Sequence, residues 1–582
     1  MTRARAAALL ALVLLLTMYL SRIGGWVLQD PDEGRYAEIP REMIERGDWV
    51  TPKLFHVNYF EKPPLLYWLT AASFETFGQT EAAARIVPAV SGIVTVLLTF
   101  ALAVRLSGRR VAWLGSGILA TMPLFFALSQ ALLIDMLLTA CMSATMLGVY
   151  GAHRAEKKRG WALLVGFSVA LGMLAKGLIA IVLPGGIALA FLLWRRDLPT
   201  VRALLDWRVI LLFLVVTVPW FVVVSQRNPD FLQFFFVREH FQRFAGNAGV
   251  RVGHPEGPFY YVPVVLLGPA PWTVLALVLA ATADGRQAFK EIPAEVRAFC
   301  LLWFGIVFLF FSAATSKLGS YILPAMPPLA ILIAAWLDRA FAEPRLVGMV
   351  MRTLNGFFFV LGALFAVVAL LAWPLHERMA HWFHLDVADV ILVAGAVASV
   401  ALCLLGAVLV ARWTRWEDRG RPAAAVGVFV AGMAAVLVFA TQGRAVTKTA
   451  RELAFAINDV RQPGDLIVSY KRLMQSLAFY TGQRIVQYDS YGEIKDGALT
   501  APDHDDWFWD DPERLKDAWG SKRVFIATEA KWIPQLTEML EPDPRVLVQD
   551  HRRVVLVNFP APAHDSVEVG PSGQDTADGS DD

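Results

Sequence analysis

Charge is scarce in this chain. Of its 582 residues only 18% are Asp, Glu, Lys or Arg, while 56% are hydrophobic. Mean hydropathy is +0.50. That shortage excludes an ordinary soluble protein, which carries more charge and less continuous apolar sequence. Net charge is only +2, so the basic footprint of a nucleic-acid binder is missing. Cysteine is rarer still. Cys141, Cys300 and Cys403 all fall inside apolar runs without metal-ligand spacing, which excludes a disulfide framework and leaves them as small core residues. No glycine-rich phosphate loop is present, which argues against a nucleotide donor. No clear internal repeat is visible either.

Long apolar runs fill the chain instead. A spanning helix needs about 20 apolar residues, and about thirteen candidates meet that test. They are 6–22, 82–105, 111–129, 131–151, 161–177, 178–194, 209–225, 259–282, 298–314, 320–337, 349–373, 388–411 and 423–441. No small-residue cleavage site follows the first run, so it reads as a retained helix rather than a signal peptide. Basic clusters such as Arg154/Lys157/Lys158/Arg159 and Arg195/Arg196/Arg202/Arg208 recur in every second gap. The cytoplasmic side retains Lys and Arg, so the N-terminus is expected inside and the C-terminal region outside.

The first outer loop, 22–80, is too long for a plain connector. It carries Asp30-Pro31-Asp32-Glu33-Gly34-Arg35-Tyr36-Ala37-Glu38 and then Tyr59-Phe60-Glu61-Lys62-Pro63-Pro64. Residues 32–46 and 63–78 both show helical spacing. Loop 226–258 is the second large outer excursion and holds the run from Phe234 to Phe244. After residue 441 the composition changes. Strands are expected at 466–470, 484–488, 523–527 and 554–557, with helices at 449–460 and 529–540. The expected division is a membrane domain, 1–441, a small α/β domain, 442–560, and a disordered tail, 561–582, rich in Asp, Gly, Pro and Ser.

Sidedness gathers scattered ionisable residues on one face: Asp32, Glu33, Glu61, Lys62, Asp135, Lys176, Arg238, His240, Arg243, Lys317 and Tyr321. Lys and Arg can hold a phosphate, and a carboxylate can act as base or stabilise a cationic transition state. Each also has a plainer reading. Asp32 and Glu33 could cap a helix. Glu61 and Lys62 could be a solvated pair, although Tyr59, Phe60 and Tyr67 frame them. Asp135 and Lys176 could be a structural ion pair, since a lone charge in a span is costly. Lys317 and Tyr321 could be interfacial anchors. Glu61 and His240 offer only two metal ligands, from distant segments.

The acid segment, Gly47-Asp48-Trp49-Val50, Tyr59-Phe60-Glu61-Lys62-Pro63-Pro64, Val237-Arg238-Glu239-His240-Phe241-Gln242-Arg243-Phe244 and Thr315-Ser316-Lys317-Leu318-Gly319-Ser320-Tyr321-Ile322-Leu323-Pro324 together resemble the bacterial aminoarabinose transferases. These are integral-membrane enzymes of the type C glycosyltransferase fold, related to protein O-mannosyltransferases. The resemblance implies an all-α membrane bundle with a small periplasmic α/β domain. It implies transfer of a sugar from undecaprenyl phosphate to lipid A or another outer-leaflet acceptor at the periplasmic face of the inner membrane. The chain is expected to act as a monomer among membrane lipids, with no nucleic acid.

By the same resemblance Asp32 is the essential carboxylate, with Glu33, Asp135 and Lys176 in the catalytic set. Lys62, Arg243, Tyr321, Lys317, Tyr59 and Tyr36 form the donor phosphate-binding set. Glu61 and His240 flank the phosphate, where a divalent metal ion could bind, and no other cofactor is implied. A transporter would also place charges in spans, and a polysaccharide ligase would share a lipid-linked donor. Neither explains the acid segment, and a transporter commonly shows repeats.

Overall fold

Long apolar runs leave the backbone one way to satisfy its N–H and C=O groups in lipid, and the runs fold accordingly into helices. The computed structural model describes residues 3–21, 23–242, 255–372, 448–550 and 552–560. Among them, seven helices are long and apolar enough to cross a membrane, or nine if each of two bent pairs is one span. The seven are Glu81–Ser107, Ile134–Arg154, Arg159–Lys176, Leu198–Arg227, Ala294–Ala313, Gly319–Ala340 and Pro344–Ala363. The chain is thus a multi-pass membrane protein.

Seven of the thirteen expected spans match these helices, and four more are bent or shorter. Expected span 111–129 is two helices, Arg109–Ala120 and Pro123–Ser129, bent by 65°. Pro123 lacks an amide proton and pushes Met122 to extended backbone, ψ 120°, so the first helix cannot run on. Expected span 259–282 is likewise Tyr261–Leu267 and Trp272–Ala281, bent by 96°, with Pro269 and Pro271 at the break. Runs 6–22 and 178–194 appear as the shorter apolar helices Ala8–Leu20 and Ile179–Trp194. The expected spans 388–411 and 423–441 lie outside the described residues.

In an 18-residue stretch of helix Ile134–Arg154, 94% is buried, against 22% in a stretch of the same length in Leu198–Arg227. The first forms the middle of its bundle, and the second turns its apolar residues outward, as a lipid-facing helix does. Close helix approach explains Gly151: a Cβ there would lie 2.4 Å from the Trp161 ring.

The described residues fall into two compact units. One draws on Met1–Trp26, Met43–Pro52 and Phe60–Ala445, the other on Val27–Glu42, Lys53–Tyr59 and Val446–Asp582. This differs from a cut at residue 441, because two pieces of loop 22–80 pack with the C-terminal strands. The second unit holds a six-stranded sheet. We number its strands after the two-residue hairpin strands β1 (Lys53–Leu54) and β2 (Val57–Asn58). They are β3 (Leu466–Tyr470), β4 (Val486–Tyr488), β5 (Phe508–Trp509), β6 (Val524–Glu529), β7 (Arg545–Asp550) and β8 (Arg553–Val557). Their order is β5-β4-β3-β6-β8-β7, with β5, β4, β3 and β6 parallel and β8 and β7 antiparallel.

The four expected strands are present. β5 and β7 were not foreseen. β5 is two residues long, and β7 is an edge strand whose exposed face blurs the alternation. The expected helix at 529–540 is a 3₁₀ turn, Ala530–Trp532, followed by Ile533–Met539, because Pro534 favours a fresh helix start. Helices Asp32–Arg46 and Leu65–Phe77 appear where the spacing placed them.

Candidate active site

In the first unit Glu61 and Lys62 lie in a bend just before Pro63 and Pro64, which open helix Leu65–Phe77. Its ammonium donates to Glu239 Oε1 at 2.8 Å and to the Glu61 carbonyl at 2.9 Å. The Glu61 carboxylate is 3.9 Å away. Glu239 belongs to a π-helical stretch, Gln233–Gln242. Such stretches recur at functional sites because they re-aim side chains off the regular helical ladder.

One apolar cluster holds these segments together. Phe60 and Leu65 flank Lys62, Leu174 and Leu178 flank Lys176, and Phe235 and Phe236 precede Glu239; all six belong to it. Phe60 meets Phe231 edge to face with centroids 5.1 Å apart. Such contacts fix the approach of the loops that carry the charges.

Asp135 opens helix Ile134–Arg154 and Lys176 ends Arg159–Lys176. The two form an ion pair with side chains 6% and 9% exposed. The Lys176 ammonium lies 4.1 Å from the centroid of the Tyr321 ring, a cation–π contact. Tyr321 sits on the 3₁₀ turn Gly319–Ala325. Nearby Lys317 is buried, and its ammonium donates to the backbone carbonyls of Glu256, at 2.8 Å, and Ala314. That ties residues 255–256 to 314–318, where Pro255 and Ser316 also bridge.

In the second unit, Asp32 and Glu33 begin helix Asp32–Arg46, where carboxylates favour the positive helix end. Glu33 Oε2 accepts from the Gln29 amide at 3.1 Å, which ties the helix start to the segment before it. Asp32 pairs with Arg35, one helical turn on. Arg35 also pairs with Glu493, and its Nη1 donates to the Tyr59 hydroxyl at 3.1 Å. Its guanidinium carbon is 5.0 Å from the Tyr36 ring centroid. Burial alone would make Arg35 easier to deprotonate. Tyr59, Glu493, Tyr36 and Asp32 outweigh that, and it holds its proton more firmly than a free arginine. Asp30 is buried too. Its carboxyl is raised from its ordinary range by burial, against Arg553 and hydrogen bonds from Ser476.

The structure therefore brings together Glu61 with Lys62, Asp135 with Lys176 and Tyr321, and Asp32 with Tyr36 and Tyr59 around Arg35. Arg243 lies outside the described residues, as does the side chain of His240. Among the described residues no group of three His, Cys, Asp or Glu side chains is placed to hold a metal ion. Arg35 and Glu239 stood inside the motifs yet were passed over as site residues. The signal for both was there: each is an ionisable residue within four positions of a chosen one. Glu493 gave none, being 458 residues from Arg35.

The family profile described as dolichyl-phosphate-mannose-protein mannosyltransferase matches residues 5–235. An undecaprenyl phosphate-alpha-4-amino-4-deoxy-L-arabinose arabinosyl transferase of Serratia proteamaculans is 35% identical over 368 residues, 62% of this chain and 64% of that protein. A second such transferase, from Proteus mirabilis, is 34% identical over 371 residues, 63% of this chain and 65% of that one. The chain thus spans a little under two thirds of these relatives' lengths. Among solved structures, ArnT from Cupriavidus metallidurans bound to undecaprenyl phosphate superposes with a TM-score of 0.81 at 27% identity, covering 96% of this chain and all of that one. The resemblance read from the acidic and aromatic motifs is matched on both counts: the chain is similar in sequence to aminoarabinose transferases and shares the fold of ArnT.

Proposed function

We propose that this protein is an inverting glycosyltransferase that moves 4-amino-4-deoxy-L-arabinose from undecaprenyl phosphate to a lipid A phosphate, at the periplasmic face of the inner membrane. The observation that carries this is Lys62: a half-buried ammonium paired with one anion, the Glu239 carboxylate, in a chain that shares the fold of ArnT bound to undecaprenyl phosphate. The alternation of basic gaps supports an N-terminus in the cytoplasm, with loop 22–80 and the C-terminal region outside.

In this reading the bond between the anomeric carbon and the carrier phosphate breaks as the acceptor oxygen bonds to that carbon from the opposite side. Positive charge grows on the sugar ring and negative charge on the departing phosphate. Lys62 stabilises the departing charge, and one such fixed contact contributes ~3 kcal/mol, about a hundredfold in rate. Arg243 and Tyr321 serve the same phosphate, and Asp135 with Lys176 fixes the position of Tyr321. Asp32 orients the acceptor. A phosphate acceptor is already ionised near neutrality, so Asp32 need not remove a proton; toward a hydroxyl acceptor it would be the base. The mannosyltransferase profile over residues 5–235 makes a hydroxyl-bearing acceptor the second reading. No step is routed through a metal ion.

The test compares lipid A masses from a deletion strain and from that strain carrying the wild-type gene. A pentosamine increment present only with the gene is the expected result. An identical profile in both strains contradicts lipid A as acceptor.

A further inference from the structure

We infer that Glu493 is a positioning residue for the transfer reaction, acting on Asp32 through Arg35. The inference rests on the role proposed for Asp32, and goes beyond it by tying the orientation of Asp32 to a residue of the C-terminal segment.

Arg35 is held between two carboxylates. Asp32 lies one turn back on the same helix, and Glu493 comes from the 3₁₀ turn Gly492–Ile494. The Arg35 side chain is 10% exposed and that of Glu493 14%, whereas Asp32 is 41% exposed. Two of the three charges are thus fixed inside, and the third is presented to solvent. Glu493 is itself fastened, since its Oε1 accepts from Gln475 Nε2 at 2.8 Å. The Tyr59 hydroxyl accepts a further hydrogen bond from Arg35 Nη1 and limits guanidinium rotation. Two residues ahead of Asp32, Asp30 accepts from the Ser476 amide at 2.7 Å and its hydroxyl at 2.8 Å, with Arg553 at 3.3 Å. The first turn of helix Asp32–Arg46 is therefore clamped on both sides by residues more than 440 positions away.

An ion pair that merely tied two segments would need only one carboxylate. With only Asp32 as partner, Arg35 could swing along the helix surface and carry the carboxylate with it. With Glu493 opposite, the guanidinium plane is pinned and Asp32 has one preferred orientation. Pre-set orientation is where rate is gained, because small misplacements of a catalytic group are costly.

The experiment uses the purified full chain with undecaprenyl phosphate-linked aminoarabinose and lipid A, transfer being followed by mass spectrometry per mole of folded protein. Glu493→Gln is expected to lower kcat about tenfold or more, with KM for the donor changed less than about twofold. Glu493→Asp should recover part of the loss. In an Asp32→Asn background, Glu493→Gln should add no further loss, since its effect runs through Asp32. Wild-type kcat in Glu493→Gln beside an inactive Asp32→Asn overturns the inference and leaves the proposed reaction standing. Wild-type kcat in Asp32→Asn overturns the proposed role of Asp32 itself. Should Glu493→Gln fail to fold, Gln475→Leu loosens Glu493 without removing charge: lowered kcat supports the inference, and unchanged kcat overturns it.

Discussion

Lys62 and Lys176 are both paired with a carboxylate in the first unit, but they are held in different ways. Lys176 and Asp135 sit at the ends of two packed helices, with the Tyr321 ring against the ammonium. Lys62 sits at a turn, and its partner Glu239 comes from a π-helical stretch. The first pair is braced by regular structure at both ends. The second is braced by an apolar cluster and by the turn that precedes helix Leu65–Phe77. In the proposed reading the first pair holds the fold and the second gives way to the carrier phosphate, so the surroundings separate two pairs of the same chemistry.

The largest expected effect lies on the braced side. Asp135→Ala leaves Lys176 buried without its counter-charge, at a cost of about 3–5 kcal/mol. Thermal unfolding in detergent, or the amount of inserted protein, should show a severe loss. The double variant Asp135→Leu, Lys176→Met removes both charges and should recover most of it. Its transfer rate should fall less than about tenfold. A larger loss in a well-folded double variant would place Lys176 on the donor phosphate and erase the contrast.

Lys62→Ala comes next. Transfer should fall about a hundredfold, or ~3 kcal/mol, in protein that is still inserted. Wild-type transfer would remove Lys62 from the site. Glu239→Gln should act in the other direction on binding. Removing the competing carboxylate frees the ammonium, and KM for the undecaprenyl-linked donor should fall a few-fold, about 1 kcal/mol. A raised KM would make Glu239 a donor ligand rather than a placeholder.

The smallest effect extends the comparison to the second unit. A hydrogen bond from Arg484 lowers the Asp503 carboxyl from its ordinary range, against the opposing pull of burial. A carboxylate with a depressed folded-state value contributes stability above its unfolded value, about 3.9, and loses it as pH falls through the folded one. Tm of the full protein should therefore drop below about pH 4, and Asp503→Asn should soften that drop. Asp30 has the opposite sign: burial raises it, so it favours the folded state at low pH and opposes it as pH rises. A Tm indifferent to acid would mean that the Asp503–Arg484 contact is open in solution.

The same contrast shows what could be read from sequence. Helix Leu65–Phe77 was legible because Pro63-Pro64 and the spacing of Leu65, Leu66 and Trp68 are local signals. The two bent spans were not, although Pro123, Pro269 and Pro271 stood in view, because hydropathy over a window does not register a break. Asp135 and Lys176 could be singled out because a charge in an apolar run is conspicuous. Glu239 was hidden by its setting, one acid between Arg238 and His240 in a run of phenylalanines. Arg35 was masked by the acids around it, and its partner Glu493 is a long-range contact that periodicity cannot show. The recruitment of residues 27–42 by the C-terminal strands is of the same kind, resting on Asp30, Ser476 and Arg553.

The direct test of Lys62 as the carrier's anchor is a binding measurement, with undecaprenyl phosphate titrated into the purified full chain and its Lys62→Ala and Glu239→Gln variants. The expected result is affinity weakened about tenfold or more in Lys62→Ala, and equal or tighter in Glu239→Gln. Equal affinity in Lys62→Ala and wild type would contradict it.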